Sequence, residues 1–279
     1  MTKPEEIRRL ARIACDLRAD VIKMIGVGKV GHIGGSCSIA EIAAALYFSK
    51  MRFDPKAVHD KDRDRFLLSK GHTVPIQYAA LIELGIIPRD HMAGLKTLAG
   101  ALQGHPDMQT PGMEAVTGSL GQGLSIGVGM ALALRHDNSP ARVYVIMGDG
   151  EIAEGQIWEA AMAAARYKLG SLTGIVDRNR FQATGSTKDI FDIPDLEAKW
   201  RAFGWNVLSV DGHDVGAVLD ALDEAAAFKS GPTVVIAETV KGKGISFAEN
   251  TSAFHNASLT QAQYDQALAE IEEAKRTLQ

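Results

Sequence analysis

The chain has 279 residues, of which 46% are hydrophobic and 23% are charged, and its formal net charge is −4. Such a chain can bury a sizeable core, and its mild negative charge gives no electrostatic reason to expect nucleic acid or an anionic membrane as a partner. Only two cysteines, Cys15 and Cys37, are present, which argues against a disulfide scaffold and favours a cytoplasmic location.

Helices and strands alternate along the chain. Apolar residues at helical spacing predict a first helix up to residue 25, and Ser38 with Glu41 predicts a capping box for the helix that follows. The other predicted elements are strands at 65–69, 142–147, 172–177, 205–211 and 233–239, and helices at 121–136, 151–170, 215–228 and from Thr260 onward. Residues 242–259 are predicted to form a loop. No secretory signal and no membrane-spanning apolar run is expected.

Continuous apolar strands separated by helices are typical of a parallel sheet that is covered on both faces. We therefore expect an α/β fold with a doubly wound, mostly parallel sheet. Residues 1–279 are expected to form a single domain, because no linker, repeat or low-complexity run interrupts them. Glycines within the helix at 121–136 cost about 1 kcal/mol each relative to alanine, which indicates close packing of that helix backbone.

The segment VYVIMGDGEIAEG, at 143–155, places one carboxylate between two glycines at the end of a buried strand. Ligands of open parallel sheets bind beyond the carboxyl ends of the strands, and the N-terminus of the next helix attracts an anion. Asp149 would repel a bare phosphate, so a divalent cation between the two is expected. Asn179, at the end of the next strand, and a main-chain carbonyl near Phe181 would complete a set of oxygen ligands for Mg²⁺ or Ca²⁺.

Two glycine-rich segments imitate nucleotide-binding motifs. GVGKVG, at 26–31, matches the dinucleotide fingerprint but follows a helix rather than a strand, so a simple turn is expected. KGKG, at 241–244, lacks the spacing and the hydroxyl residue of a phosphate-binding P-loop. Lys241 and Lys243 are therefore predicted to be surface residues that at most lie near a phosphate.

GDG followed 30 residues later by the asparagine of DRNRF resembles the motif with which thiamine diphosphate enzymes hold their metal. Further segments are similar to the successive motifs of transketolases and stand in that family's order: GKVGHIGGSCSIAEIAAALYF (28–48), LSKGHTVPIQYAAL (68–81), LQGHPD (102–107), TGSLGQGLSIGVGMALA (117–133) and KGKGISFAENTSAFHNA (241–257). The resemblance covers residues 8–278. It implies the diphosphate module of the thiamine diphosphate-binding fold.

The resemblance also implies a role for each matched residue. The catalytic residues, which would contact substrate, are His32, His105 and His255. Thiamine diphosphate would be bound by His72, Gly118, Ser119, Leu120, Gly148, Gly150, Glu151, Asn179 and His255. Its metal would be held by Asp149, Asn179 and Phe181. Histidine suits proton transfer at sugar hydroxyls because its pKa lies near neutrality.

The match extends only to the N-terminal portion of a full transketolase, so the pyrimidine-binding and C-terminal domains are missing. This implies the N-terminal subunit of a split transketolase, inactive without a C-terminal partner subunit, in an α2β2 assembly. The pair would transfer a two-carbon ketol unit from a ketose phosphate donor to an aldose acceptor. Ile33 and Asn256 replace the family's usual proline and glycine, which suggests an unusual, branched or sulfonated, sugar.

Three alternative functions stay open at this point. They are a fragment of 1-deoxyxylulose 5-phosphate synthase, the α chain of a 2-oxoacid dehydrogenase, and a non-catalytic subunit that keeps the fold. The order of the histidine motifs favours transketolase over the α chain but is compatible with the synthase. The retained Asp149, Asn179 and four motif histidines argue against a non-catalytic subunit.

Overall fold

The computed structural model describes residues 3–278 and is built around one five-stranded sheet in the order β1-β2-β3-β7-β6. Its strands are β1 (Arg65–Leu68), β2 (Val143–Gly148), β3 (Leu172–Arg178), β6 (Asn206–Asp211) and β7 (Thr233–Glu238). Every pairing within this sheet is parallel. The short strands β4 (Phe181–Gln182) and β5 (Gly185–Ser186) form an antiparallel hairpin after β3.

Helices cover both faces of the sheet. The α-helices in the described range are α1 (Lys3–Ile25), α2 (Gly34–Cys37), α3 (Ala40–Ala45), α4 (Val74–Glu83), α5 (Gln122–His136), α6 (Gly155–Arg166), α7 (Thr187–Ile190), α8 (Leu196–Ala202), α9 (Val215–Ala227) and α10 (Gln261–Arg276). Turns of 3₁₀-helix lie at Gly71–Thr73, Arg89–Gly94 and Glu151–Ala153, and a π-helical turn lies at Leu46–Lys50.

The sheet separates two hydrophobic clusters. Tyr144 and Ile146 of β2 pack in the cluster with α1, α3, α4, α9 and α10, whereas Val145 and Met147 pack in the cluster with α5, α6 and α8. Alternate residues of a strand face opposite sides of the sheet, so burial of both sides requires a continuous apolar strand. The predicted fold class, a parallel sheet with helices on both faces, is confirmed.

The predicted capping box is wrong. Ser38 Oγ donates to Asp177 Oδ2 at 2.7 Å, and Glu41 is buried against Arg18, whose Nη2 lies 2.6 Å from Glu41 Oε2. Helix α3 therefore starts after Ile39 without a side-chain cap. Tertiary contacts occupy both side chains that the local pattern assigned to capping.

Other helices also differ from expectation, since α2, α7 and α8 were not predicted. The predicted helix at 151–170 begins as the Glu151–Ala153 turn, and α6 proper starts only at Gly155. Helix α4 was not predicted, because residues 74–82 are all buried and so lack a polar face from which a helical period could be recognised. The predicted start near Thr260 is confirmed by a capping box with Gln263.

The glycine-rich segment at 26–31 is an irregular stretch rather than a simple turn, with positive φ angles at Gly26 and Gly28 and single bridges from Val27 to Leu259 and from Gly31 to Ala257. It is followed by coil and the short helix α2 rather than by the long helix of a dinucleotide site. Within residues 3–278, no helix has both the length and the hydropathy to cross a membrane.

Candidate functional site

A cavity of about 550 Å³ lies at the carboxyl ends of the central strands. Among the residues that line it are the predicted His32, His72, His105, Gly118, Leu120, Gly148, Asp149, Gly150, Glu151, Asn179, Phe181 and His255. Ser119 does not line the cavity, although both of its neighbours do. The fold thus brings together residues from seven separate segments of the chain.

Asp149 and Asn179 lie at adjacent strand ends, because β2 and β3 pair in the register Gly148 with Asp177. The Asp149 carboxylate accepts from Gly150 N at 2.9 Å and from Arg180 N at 2.6 Å, so it joins the two strand ends. Burial and the nearby carboxylate of Asp177 raise the pKa of Asp149 to about 7. A cation bound beside Asp149 would stabilise the ionised form of this buried carboxylate.

The orientation of the Asn179 amide is fixed by the fully buried Asp177. Asn179 Nδ2 donates to Asp177 Oδ2 at 2.6 Å, which leaves Oδ1 on the side of Phe181, whose N–H lies 3.2 Å away. The oxygen ligands gathered here are then the Asp149 carboxylate, the Asn179 amide oxygen and the main-chain carbonyl of Phe181, which also accepts from Lys241 Nζ at 3.1 Å. This set of hard oxygens fits Mg²⁺ or Ca²⁺. It differs from a His/Cys/Asp/Glu cluster, of which the described residues contain none.

Two buried ammonium groups face the same cavity. Lys70 is 3% exposed, and its Nζ lies 2.6 Å from Asp177 Oδ2 and 2.7 Å from Gly35 O. Lys241 is 1% exposed, so its predicted surface position is wrong, whereas Lys243 is partly exposed. Burial and Lys70 lower the pKa of Lys241 to about 8. Paired buried cations beside a cavity suit a polyanionic ligand such as a diphosphate.

Neither lysine was predicted to face the site. Lys70 belongs to the SKGH motif directly after β1, a strand end where a ligand-facing side chain could have been anticipated. The Lys241 side chain can pack at the cavity because Gly34 has no side chain: a Cβ on Gly34 would lie 2.9 Å from Lys241 Cγ. That close approach joins segments about two hundred residues apart and has no local sequence pattern.

Glu151 lines the cavity, and its carboxylate joins three loops. It accepts from Gly121 N at 2.9 Å and from Gly148 N at 3.0 Å, and it also accepts from Ser69 Oγ. Burial raises its pKa. The predicted cofactor contact of Glu151 stays a prediction.

His32, His72 and His255 form a cluster, with ring centroids 4.8 Å, 5.1 Å and 5.4 Å apart. Burial and neighbouring positive groups lower the pKa of His32 and His255 to about 4 and that of His72 to about 2. The three rings are therefore neutral at pH 7. Lys241 Nζ lies 2.9 Å from His255 Nδ1, so this nitrogen accepts and the ring proton is on Nε2.

His105 lies at another part of the cavity wall and is packed against Gly118. A Cβ on Gly118 would lie 2.5 Å from His105 Cδ2, and Gly118 has a φ of +141°. Glycine is therefore required for this contact. Burial and Lys96 lower the pKa of His105, and Tyr78 Oη donates to its carbonyl at 3.1 Å.

Comparison with known proteins gives consistent matches. The family model described as "Transketolase, thiamine diphosphate binding domain" matches residues 10–273. The chain is 45% identical over 257 residues to the 6-deoxy-6-sulfo-D-fructose transketolase subunit of a Clostridium species, covering 92% of this chain and 94% of the relative. It is 40% identical over 256 residues to an apulose-4-phosphate transketolase subunit of Phocaeicola vulgatus, covering 92% and 91%.

Solved structures match over the same region. The transketolase from Leishmania mexicana has a TM-score of 0.86 and 30% sequence identity, covering 98% of this chain and 45% of that one. The transketolase from Campylobacter jejuni has a TM-score of 0.87 at 26% identity and covers 100% and 46%. The chain thus spans less than half the length of these solved transketolases, but nearly the whole length of the two subunit relatives.

Proposed function

Because the chain belongs to the transketolase thiamine diphosphate-binding domain family, we propose that it is the N-terminal subunit of a two-chain transketolase. Together with a C-terminal subunit it would transfer a two-carbon ketol unit from a ketose donor to an aldose acceptor. The observation that carries the proposal is the convergence of Asp149 and Asn179 with two buried lysines in one cavity. Neither a dehydrogenase fingerprint nor a P-loop offers an alternative use for these groups.

Asp149, the amide oxygen of Asn179 and the carbonyl of Phe181 would hold Mg²⁺. The ammonium of Lys241 would face the diphosphate, and Gly118 and Leu120 would border the aminopyrimidine. When bound, thiamine diphosphate supplies the carbon nucleophile and the electron sink for cleavage of a carbon–carbon bond. The protein's own part is to bind, orient and exclude water.

The histidines would form hydrogen bonds with the substrate. Since His255 carries its proton on Nε2, it can donate a hydrogen bond to a substrate oxygen. His32 and His105 are neutral or only partly charged near pH 7 because burial lowers the pKa of each, so each can accept a hydroxyl proton. His72 would lie against the cofactor.

A partner chain is proposed to complete the site in an α2β2 assembly. The names of the two subunit relatives describe components of larger enzymes. Among the residues that line the cavity, Leu120 is 38% exposed and Phe191 is 59% exposed. An apolar rim of this kind supports docking of another protein over the opening.

A cytoplasmic location is also proposed. Cys15 and Cys37 are both buried free thiols, and burial raises the pKa of the Cys37 thiol to about 12. Unpaired buried cysteines support a reducing compartment. Cell fractionation with an antibody against the chain would test this, and recovery from a secreted fraction would contradict it.

The donor sugar is proposed to differ from the ordinary ketose phosphate. The departures at Ile33 and Asn256 lie in the histidine motifs. Ile33 is fully buried directly before α2, the helix whose Gly35 lines the cavity. The relatives' names specify 6-deoxy-6-sulfo-D-fructose and apulose 4-phosphate. Either sugar class is consistent with the hypothesis of an unusual donor.

The assay reconstitutes the chain with the product of a neighbouring gene that resembles a transketolase C-terminal half. The pair is given xylulose 5-phosphate, 6-deoxy-6-sulfofructose, apulose 4-phosphate or pyruvate in turn. Ketol transfer requiring both chains supports the proposal, and preference for one of the unusual sugars supports the donor hypothesis. Turnover of pyruvate would instead favour the synthase or dehydrogenase alternatives, and failure to bind thiamine diphosphate with any partner would favour a non-catalytic subunit.

A further inference from the structure

A buried hydrogen-bond chain lies behind Lys241 and has no part in the site described above. Arg18 of α1 donates to Glu41 Oε2 of α3 at 2.6 Å. His213, in the loop between β6 and α9, has its Nδ1 at 3.0 Å from the same oxygen. On the other side of the ring, His213 Nε2 accepts the main-chain N–H of Val240 at 2.8 Å. The imidazole thus bridges a core carboxylate and the residue before Lys241.

These contacts determine which nitrogen of the His213 ring carries the hydrogen. Because Nε2 accepts a hydrogen bond from an amide, Nε2 carries no proton itself, so the ring hydrogen is on Nδ1 and is donated to Glu41. The carboxylate is firmly ionised: although burial raises its pKa, Arg18 and His213 lower the pKa of Glu41 to about 2. Arg18 is anchored in turn, since its Nε donates to Cys37 O at 3.1 Å. Both nitrogens of His213 are therefore occupied in a rigid setting.

The bridge acts on the turn that follows β7. The hydrogen bonds that hold the main chain around Lys241 include Val240 N to His213 Nε2 at 2.8 Å, Gly242 N to Gly34 O at 2.9 Å, Lys243 N to Val240 O at 3.1 Å and Asn250 N to Lys241 O at 3.0 Å. Only the first of these uses a side chain. The loop that carries His213 approaches the turn closely, since a Cβ on Gly212 would lie 2.5 Å from Thr239 Cγ2.

We propose that His213 is a positioning residue for Lys241. By accepting the Val240 amide, it fixes the main chain from which the lysine extends, so that the ammonium reaches Phe181 O at 3.1 Å and His255 Nδ1 at 2.9 Å. The identity of the ligand that Lys241 meets, a diphosphate, rests on the proposed function. The clamp itself depends only on the contacts within this chain.

Two substitutions separate the two bonds of the ring. His213→Asn places an amide near the position of Nδ1, so it can donate to Glu41 but is too short to reach Val240. His213→Gln extends an amide oxygen near the position of Nε2 and can accept the Val240 N–H. His213→Gln therefore serves as the conservative rescue, and urea unfolding of both variants tests whether they remain equally folded.

Hydrogen exchange of the full chain, read out by mass spectrometry on peptides spanning 239–244, tests the clamp without any ligand. We expect His213→Asn to speed exchange at the Val240 amide by about tenfold, the size of one lost hydrogen bond. Exchange in His213→Gln is expected near the wild-type rate. Unchanged exchange in His213→Asn would overturn the proposal.

Calorimetric titration of the full chain with magnesium pyrophosphate tests the consequence for Lys241. We expect His213→Asn to bind about tenfold more weakly, His213→Gln to bind like the wild type, and His213→Asn to cause no further loss in a Lys241→Met background. Additive losses would overturn positioning through Lys241. A wild-type chain that binds no magnesium pyrophosphate would count against the proposed cofactor site, while the exchange measurement would still decide for or against the clamp.

Discussion

Asn179 Nδ2 donates to the buried carboxylate of Asp177 at 2.6 Å, and this bond directs the oxygen of the Asn179 amide, rather than its nitrogen, toward the proposed cation site. Asp177 also receives Lys70 Nζ at 2.6 Å, Ser38 Oγ at 2.7 Å and Thr239 Oγ1. One carboxylate at the end of the central strand β3 therefore orients groups from four segments. Although burial raises its pKa, Lys70 and these hydrogen bonds hold the pKa of Asp177 below its usual value.

Replacing Asp177 by Asn should weaken metal binding. The new amide offers one oxygen to donors that previously shared two, so the Asn179 amide is no longer fixed and Lys70 loses its ion pair. We expect the affinity for Mn²⁺, measured by electron paramagnetic resonance, to fall about 10- to 100-fold, as for other residues that orient metal ligands. Ser38→Ala, which removes a different donor to Asp177, is the matched control and should cost less. Equal affinity in Asp177→Asn and the wild type would contradict this role.

Lys241→Met should lose affinity for magnesium pyrophosphate by about 10- to 100-fold, the effect of removing one charge-assisted hydrogen bond. The reason is that its ammonium is buried beside the candidate metal site and cannot be replaced by a solvent cation. Lys243→Met, two residues on and partly exposed, is the control. Isothermal titration calorimetry measures both. Similar losses in the two variants would mean that general surface charge, rather than the cavity, attracts the anion.

Glu151→Gln should destabilise the fold. The carboxylate accepts from three donors, and the amide nitrogen of glutamine would meet main-chain N–H groups that can only donate. We expect the free energy of unfolding in urea to fall by about 1–3 kcal/mol, the penalty for a buried unsatisfied group. Glu154→Gln changes an exposed glutamate three residues away and should leave the unfolding free energy unchanged. Loss of stability in both variants would exclude this explanation.

His72 should make the chain more sensitive to acid. Burial and His32 lower its pKa from 6.5 to about 2, so below pH 6.5 the unfolded state binds a proton that the folded state does not. This difference makes stability rise with pH up to about 6.5 and leaves it unaffected above that value. His72→Gln should reduce the slope of unfolding free energy between pH 4 and 6 by about 1.4 kcal/mol per pH unit.

Urea unfolding at half-unit pH intervals measures that slope. His136→Gln, a substitution of an exposed histidine at the end of α5, is the matched control for the loss of one imidazole. If His72→Gln and the wild type have the same slope between pH 4 and 6, the ring is not neutral in the folded state. In that case the neutrality inferred for the whole histidine cluster would fail.

The sheet could be predicted from the sequence because its strands are buried on both faces and so read as short apolar runs, such as Val143 to Met147. The same burial concealed α4, whose residues are apolar on every side. The capping box at Ser38 and Glu41 failed for the opposite reason, since each polar side chain is used by a partner distant in sequence. A capping-box pattern predicts bonds between residues close in sequence, whereas Ser38 bonds to Asp177 and Glu41 bonds to Arg18.

The same distinction applies to the site. Asp149 and Asn179 could be placed together because parallel strands that follow one another bring their carboxyl ends to the same edge of the sheet. The Lys70–Asp177 pair could not, because its members stand 107 residues apart and no local sequence pattern links them. Lys241 was misjudged because a lysine is ordinarily exposed, and its burial depends on the gap left by Gly34.

The most direct measurement is the anomalous scattering of Mn²⁺ in crystals of the assembled enzyme grown with thiamine diphosphate. We expect one strong peak within coordination distance of Asp149, the Asn179 amide oxygen and the Phe181 carbonyl, joined to the diphosphate. A cofactor bound in this cavity with no peak between those groups, or with the metal held by other residues, would contradict the proposed site.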